Sequence, residues 1–165
     1  MDVARVVDGV VERYADTPGG LLPILHGVQH ALGYIPSEAV PRIAAALNLS
    51  RAEVHGVVSF YHEFRAEPAG RHTLKICRAE SCQAMGADAL VAAATKRAGA
   101  ALGGTSADGQ LTVEPIFCLG LCALSPAIVL DDELHARMTP AHLDALLDAL
   151  PDTVPDALPA TRAVA

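Results

Sequence analysis

His72-Thr-Leu-Lys-Ile-Cys77-Arg-Ala-Glu-Ser-Cys82 and Leu111-Thr-Val-Glu-Pro-Ile-Phe-Cys118-Leu-Gly-Leu-Cys122 contain all four cysteines of the chain. Each stretch opens as a short β-like run and closes on a pair of cysteines. Two neighbouring strands ending this way can converge four thiolates on one point. Such a set of soft ligands suits zinc or an iron–sulfur centre. Structural zinc commonly uses a two-residue knuckle, so gaps of four and three residues count against zinc without excluding it. A thioredoxin-type redox pair reads C-x-x-C, and neither pair does. Spacing therefore places a [2Fe–2S] centre first, zinc second, and thiol chemistry or chance third.

Such a cluster takes two thiolates on each iron and carries a net charge of about −2, falling to about −3 on reduction. Burying that charge requires backbone N–H groups aimed at sulfur, which tight cysteine loops supply. Gly120 is expected to permit a turn that a side chain would obstruct, and Gly86 a close backbone approach. Ordinary turn and helix-packing roles are equally compatible with both glycines.

Outward from the cysteines, composition sets bounds. At 165 residues the chain is one medium domain or two small ones, and 52% hydrophobic residues make a core available. With aromatics at 4% and no Trp, much of that core is Ala, Val and Leu. The formal net charge of −7 argues against nucleic acid, which requires clustered Lys and Arg. Mean hydropathy is +0.32, yet no run approaches the ~18–20 apolar residues of a membrane span. The charged start Met1-Asp-Val-Ala-Arg lacks a signal-peptide core. The expectation is a cytoplasmic protein with no membrane partner, in which paired cysteines are ligands or catalysts rather than disulfides.

Val3, Val6, Val7, Val10, Val11 and Tyr14 recur at helical spacing, which predicts an amphipathic helix broken at Thr17-Pro-Gly-Gly20. A second helix is expected from about Leu22, with Pro23 in its first turn and Gly33 as its stop. Ser37 is the expected N-cap of a third, carrying Ile43, Ala44 and Leu47 inward. Ser50-Arg-Ala-Glu53 reads as a capping box before a fourth. Phe60-Tyr-His-Glu-Phe64 holds half of the aromatics and is expected to anchor the helical region.

After Glu67-Pro-Ala-Gly70 the pattern changes. Strands are expected at 72–77, 111–117, 126–130 and 133–137, with Gly103 to Gly109 as a loop. A helix over 84–98 would bury Met85, Ala89, Leu90, Ala93 and Ala94. Thr139-Pro140 opens a last helix with Leu143, Leu146, Leu147 and Leu150 on one face. The expected organisation is α/β (α+β): a helical region at 1–66, a sheet domain at 67–150 and a flexible tail at 151–165.

Cys77-x4-Cys82 with Cys118-Leu-Gly-Leu-Cys122 behind a helical region resembles the 24 kDa subunit family of respiratory complex I. That family has relatives in NAD-reducing hydrogenases and NAD-dependent formate dehydrogenases. Gly33-Tyr-Ile-Pro36, Val57-Val-Ser-Phe-Tyr-His62 and Ser125-Pro126 extend the resemblance over about residues 5–150. The run from Cys77 to Gly86 looks most like the gamma subunit of soluble formate dehydrogenase. The resemblance implies a thioredoxin-like fold behind an N-terminal helical bundle, with one [2Fe–2S] cluster ligated by Cys77, Cys82, Cys118 and Cys122. It further implies a non-catalytic electron-transfer subunit of a formate:NAD+ oxidoreductase. FMN and NAD would sit on a neighbouring diaphorase subunit, and molybdenum on a separate catalytic subunit. Equivalent service in a hydrogenase or complex I, or a zinc-stapled adaptor, are the alternatives. Consistent with that division, no G-x-G-x-x-G follows a strand and there is no P-loop.

His26 and His30, at i and i+4, can hold a metal in principle, but surface or interface roles are favoured. His55 and His62 are expected to be packed or hydrogen-bonded. Arg78 and Glu80, inside the first cysteine loop, either tune the cluster, meet a partner or are solvated.

Overall fold

The computed structural model describes residues 2–14 and 16–151, so apart from Pro151 the expected tail lies outside the described residues. It forms two compact units, Met1–Ala69 and Gly70–Ala165. The first is helical and the second is a sheet with helices, a mixed architecture in the expected order.

In the first unit α1 (Val3–Tyr14), α2 (Leu21–Leu32), α3 (Ala39–Ala46) and α4 (Arg51–Phe60) enclose Val7, Ile24, Leu25, Val28, Ile43 and Val54. The valine stripe of α1 supplies its inward face. Gly33 ends α2 in the left-handed conformation. The capping box of α4 forms as read: Glu53 N–H donates to Ser50 Oγ, and Ser50 N–H to Glu53 Oε2. Ser37 is not a cap; α3 starts later, after Glu38, with no side-chain bond. The aromatic stretch divides. Phe64 joins the core, but Phe60 and Tyr61 are exposed, contrary to the expected anchoring. The Gln29 side chain fixes this segment by donating to Glu63 O at 2.6 Å and accepting from Arg65 N–H at 2.7 Å.

The second unit is built on β1 (His72–Cys77), β2 (Gly104–Thr105), β3 (Leu111–Ile116), β4 (Ile128–Leu130) and β5 (Glu133–His135). Their order across the sheet is β2-β3-β1-β4-β5. β1 and β3 are parallel; the other pairings are antiparallel. Between β1 and β3 run α5 (Glu80–Ala84) and α6 (Ala87–Ala98), and α7 (Pro140–Asp148) closes the unit. Alternation along β1 turns Leu74 and Ile76 into a core with Val113, Leu90, Ala94, Leu143 and Leu147. The buried face of α6 is Ala87, Leu90, Ala94 and Ala98; Met85 and Ala89, expected inside, are exposed. Thr139 caps α7 with Pro140 in its first turn.

At the N-terminal end of β1, buried His72 is gripped from both sides. Its Nδ1 lies 2.5 Å from Asp131 Oδ2 and its Nε2 2.9 Å from Pro151 O. Asp131 Oδ1 also accepts the Thr73 N–H at 2.8 Å.

Candidate metal centre

The cysteines meet because of strand register. Cys77, the last residue of β1, stands opposite Ile116, the last of β3. Both parallel strands therefore release the chain at the same end of the sheet, and Cys118 follows two residues later. β4 begins at that end too, since Ile128 opposite Ile76 brings in the segment after Cys122. Parallel neighbours need a long crossover. Here α5 and α6 supply it, which separates in sequence two pairs that are adjacent in space.

The pairs differ in exposure. Cys77 and Cys82 are 2% and 3% exposed, packed with Ala87 and Ala127, whereas Cys118 and Cys122 are exposed. Cys118 Sγ and Cys122 Sγ lie 3.8 Å apart. Two thiolates bound at about 2.3 Å to one tetrahedral metal stand about 3.8 Å apart, so this pair already has the span of a two-point clamp. Gly120 N–H donates to Cys118 Sγ at 3.4 Å.

The second loop also serves the first pair. Burial pushes the Cys77 thiol up, but hydrogen bonds from Ala79 N–H, the Cys82 side chain, and the N–H groups of Cys118 and Leu119 outweigh it. The net result is a thiol below its ordinary range. Cys122 moves the other way: its hydrogen bond with Cys118 and the charge there raise it, followed by burial and the charges of Cys82 and Cys77. Four sulfurs that feel one another cannot all ionise cheaply without a cation to relieve the repulsion.

Among the described residues, no group of three or more His, Cys, Asp or Glu side chains is placed to hold one metal ion. Two cysteine pairs brought together across the loops suit a metal group held by four sulfurs. The soft donors and the N–H groups aimed at sulfur fit the same group.

Gly120 and Gly86 take φ +76° and +98°, and an added Cβ would meet nothing within 4 Å at either. Their requirement is conformational, not the obstruction or close approach expected. Arg78 reaches Asp88 at 3.1 Å; Glu80 is exposed in the first turn of α5. His26 and His30 are exposed on α2, where the His26 ring lies 4.9 Å from that of Phe64. His55 and His62 are exposed rather than packed.

Two hydroxyls at the site escaped the sequence reading. Ser81 and Ser125 bridge the cysteine loops, with Oγ atoms 2.8 Å apart. Ser81 sits beside Cys82, and Ser125 lies three residues beyond Cys122; hydroxyls that close to ligand-type cysteines were the available signal.

Residues 7–151 match the family described as thioredoxin-like [2Fe-2S] ferredoxin. One subunit of the NADH-quinone oxidoreductase of Pseudomonas aeruginosa is 33% identical over 134 residues, covering 81% of each chain. The NADP-reducing hydrogenase subunit HndA of Solidesulfovibrio fructosivorans is 30% identical over 139 residues, covering 84% of this chain and 81% of its own. Among solved structures, the NAD+-reducing [NiFe]-hydrogenase in its air-oxidised state superposes with a TM-score of 0.66 at 28% identity. That match takes 83% of this chain but 23% of the hydrogenase chain, so the present chain spans about a quarter of it.

Proposed function

The chain belongs to the thioredoxin-like [2Fe-2S] ferredoxin family, and from that premise we propose that it is the electron-transfer subunit of an NAD-linked formate dehydrogenase. Cys77, Cys82, Cys118 and Cys122 would hold a single [2Fe–2S] cluster. The observation that carries the reading is the meeting of the two cysteine loops, where the Cys118 and Cys122 sulfurs lie 3.8 Å apart and the N–H groups of Cys118 and Leu119 reach Cys77. When bound, the cluster supplies storage of one electron. The chain supplies ligation, backbone N–H groups aimed at the Cys77 and Cys118 sulfurs, and a buried wall behind Cys77 and Cys82 that keeps water away.

The exposed Cys118–Cys122 loop is the end through which the electron passes. Phe117 and Leu124, both exposed and next to this loop in sequence, form part of the face offered to a diaphorase subunit that carries FMN and binds NAD(H). Oxidation of formate takes place on a separate molybdenum-containing subunit. The formate assignment rests on the run Cys77-Arg-Ala-Glu-Ser-Cys82-Gln-Ala-Met-Gly86. The oxidoreductase and hydrogenase subunits among the relatives support a second reading, in which the same electron carrier serves one of those complexes. Among the described residues, no helix is long and apolar enough to cross a membrane, and we place the subunit in the cytoplasm.

The test is anaerobic absorption and EPR spectroscopy of the isolated protein, with iron, sulfide and zinc assays. About two irons and two sulfides per chain, with a spin-half signal on reduction, are expected. A colourless protein with about one zinc per chain overturns the proposal. Subunits recovered with the chain from its native source separate the formate dehydrogenase reading from the other.

A further inference from the structure

The hydroxyls of Ser81 and Ser125 form a small closed network between the two cysteine loops. Ser125 Oγ lies 2.8 Å from Ser81 Oγ, 2.8 Å from Cys122 O and 3.6 Å from Cys82 Sγ. Ser81 Oγ lies 3.1 Å from the same Cys122 O. Ser125 is 8% exposed, so water does not readily replace a missing partner.

Each hydroxyl carries one hydrogen and two acceptor sites. Cys122 O can accept from either serine, but Cys82 Sγ has only Ser125 within reach among these hydroxyls. With Cys82 protonated, its one S–H hydrogen goes either to the Cys77 sulfur or to Ser125 Oγ, and the Ser125 hydrogen is free for Cys122 O. A metal-bound Cys82 has lost that hydrogen and can only accept. Both acceptors are then served when Ser81 donates to Cys122 O and Ser125 turns its hydrogen to Cys82 Sγ.

We propose that Ser125 is the hydrogen-bond donor that raises the reduction potential of the cluster through Cys82 sulfur, and that Ser81 positions it by satisfying Cys122 O in its place. The inference rests on the cluster reading above. Reduction adds negative charge shared by the ligand sulfurs, so a donor at sulfur stabilises the reduced form more than the oxidised one. Because the sulfur it addresses is buried, the effect is not diluted by solvent. Ser81 makes no bond to a sulfur in this network; it acts only by settling which acceptor Ser125 serves.

The experiment is a mediated redox titration, read by EPR, of the wild-type protein and of Ser125→Ala, Ser125→Thr, Ser81→Ala and the double alanine variant. Iron and sulfide are assayed in each. Ser125→Ala should keep its cluster and shift the reduced-to-oxidised ratio about tenfold toward oxidised at fixed potential, about 59 mV lower for a one-electron couple. Ser81→Ala should fall by a similar amount, because the Ser125 hydrogen then goes to Cys122 O. The double variant should fall no further, and Ser125→Thr should stay near wild type. A fully loaded Ser125→Ala or Ser81→Ala variant at the wild-type potential overturns the proposal, as does an additive double variant. Absence of iron and sulfide from the wild type instead overturns the cluster reading beneath it.

Discussion

Replacing Gly120 with alanine isolates one contribution to the second cysteine loop. The residue sits at φ +76°, and a Cβ there meets no atom within 4 Å, so the substitution adds backbone strain without a clash. Holding an L-residue in the left-handed region costs about 1–2 kcal/mol. Stiffening the unfolded chain returns about 0.4–1 kcal/mol. The net expectation is a loss of about 1 kcal/mol, about fivefold in the equilibrium between the closed loop and its open forms. Asparagine tolerates this conformation better, so Gly120→Asn should fall between glycine and alanine. The assay is iron release from the loaded protein to a chelator, followed by loss of visible absorbance, with urea unfolding in parallel. Gly120→Ala should release iron about fivefold more readily and unfold about 1 kcal/mol earlier. A loss of about 3 kcal/mol, the scale of overpacking, would show that the space is not open. Asparagine proving worse than alanine would refute the conformational argument.

Further outcomes follow from other parts of the structure. Ser50→Ala should destabilise the helical unit by about 1 kcal/mol in urea unfolding, the usual worth of an N-cap. Glu53, held below its ordinary value by the Ser50 backbone N–H and then the Ser50 hydroxyl, has a lower pKa folded than unfolded. Its contribution is therefore complete above the unfolded value, near pH 4.3, and fades as pH falls through the folded one; unfolding curves of Glu53→Gln should converge with wild type there. Asp131→Ala strands Nδ1 of the buried His72 ring and the Thr73 N–H, and should cost about 1–3 kcal/mol in thermal or urea unfolding. In metal-free protein, alkylation mapped by mass spectrometry should mark exposed Cys118 and Cys122 well before buried Cys77 and Cys82. Because Cys122 is raised above the ordinary thiol range, its alkylation rate should still be climbing with pH where a free thiol has levelled off.

Much of this was legible from residue order. The valines of α1, the capping box at Ser50, Gly33 behind α2 and Thr139-Pro140 before α7 are local signals that hold in the fold, unlike Ser37, after which α3 starts later. The short α5 was not legible, because five residues carry no period of their own and their helix forms around a buried Cys82. Nor was β2: Gly104 and Thr105 become a strand only because the edge of β3 offers them a partner. Met85 and Ala89 were misplaced because an alanine-rich helix has several faces of similar hydrophobicity, and contact with the sheet selects one. At the site, the residue types were plain from the spacing of the cysteines. Their convergence was expected from two strands that end alike, but the parallel pairing of β1 with β3 that produces it was not, and the Ser81–Ser125 bridge exists only once the loops are side by side.

That pairing also separates two kinds of distance. How many residues lie between Cys82 and Cys118 is of no concern to the four sulfurs, while the alignment of Cys77 with Ile116 is decisive. A slip of one residue would carry a sulfur about 3.3 Å along the strand and turn its side chain to the opposite face. Extra residues at the Ser106–Gly109 turn, by contrast, fall at the far end of the sheet, where β3 begins opposite His72. The chain can lengthen there, accept a tag or carry a fused segment while its sulfurs keep their places. Evolution and protein engineers alike are free to write at that end of the sheet and are bound at the other.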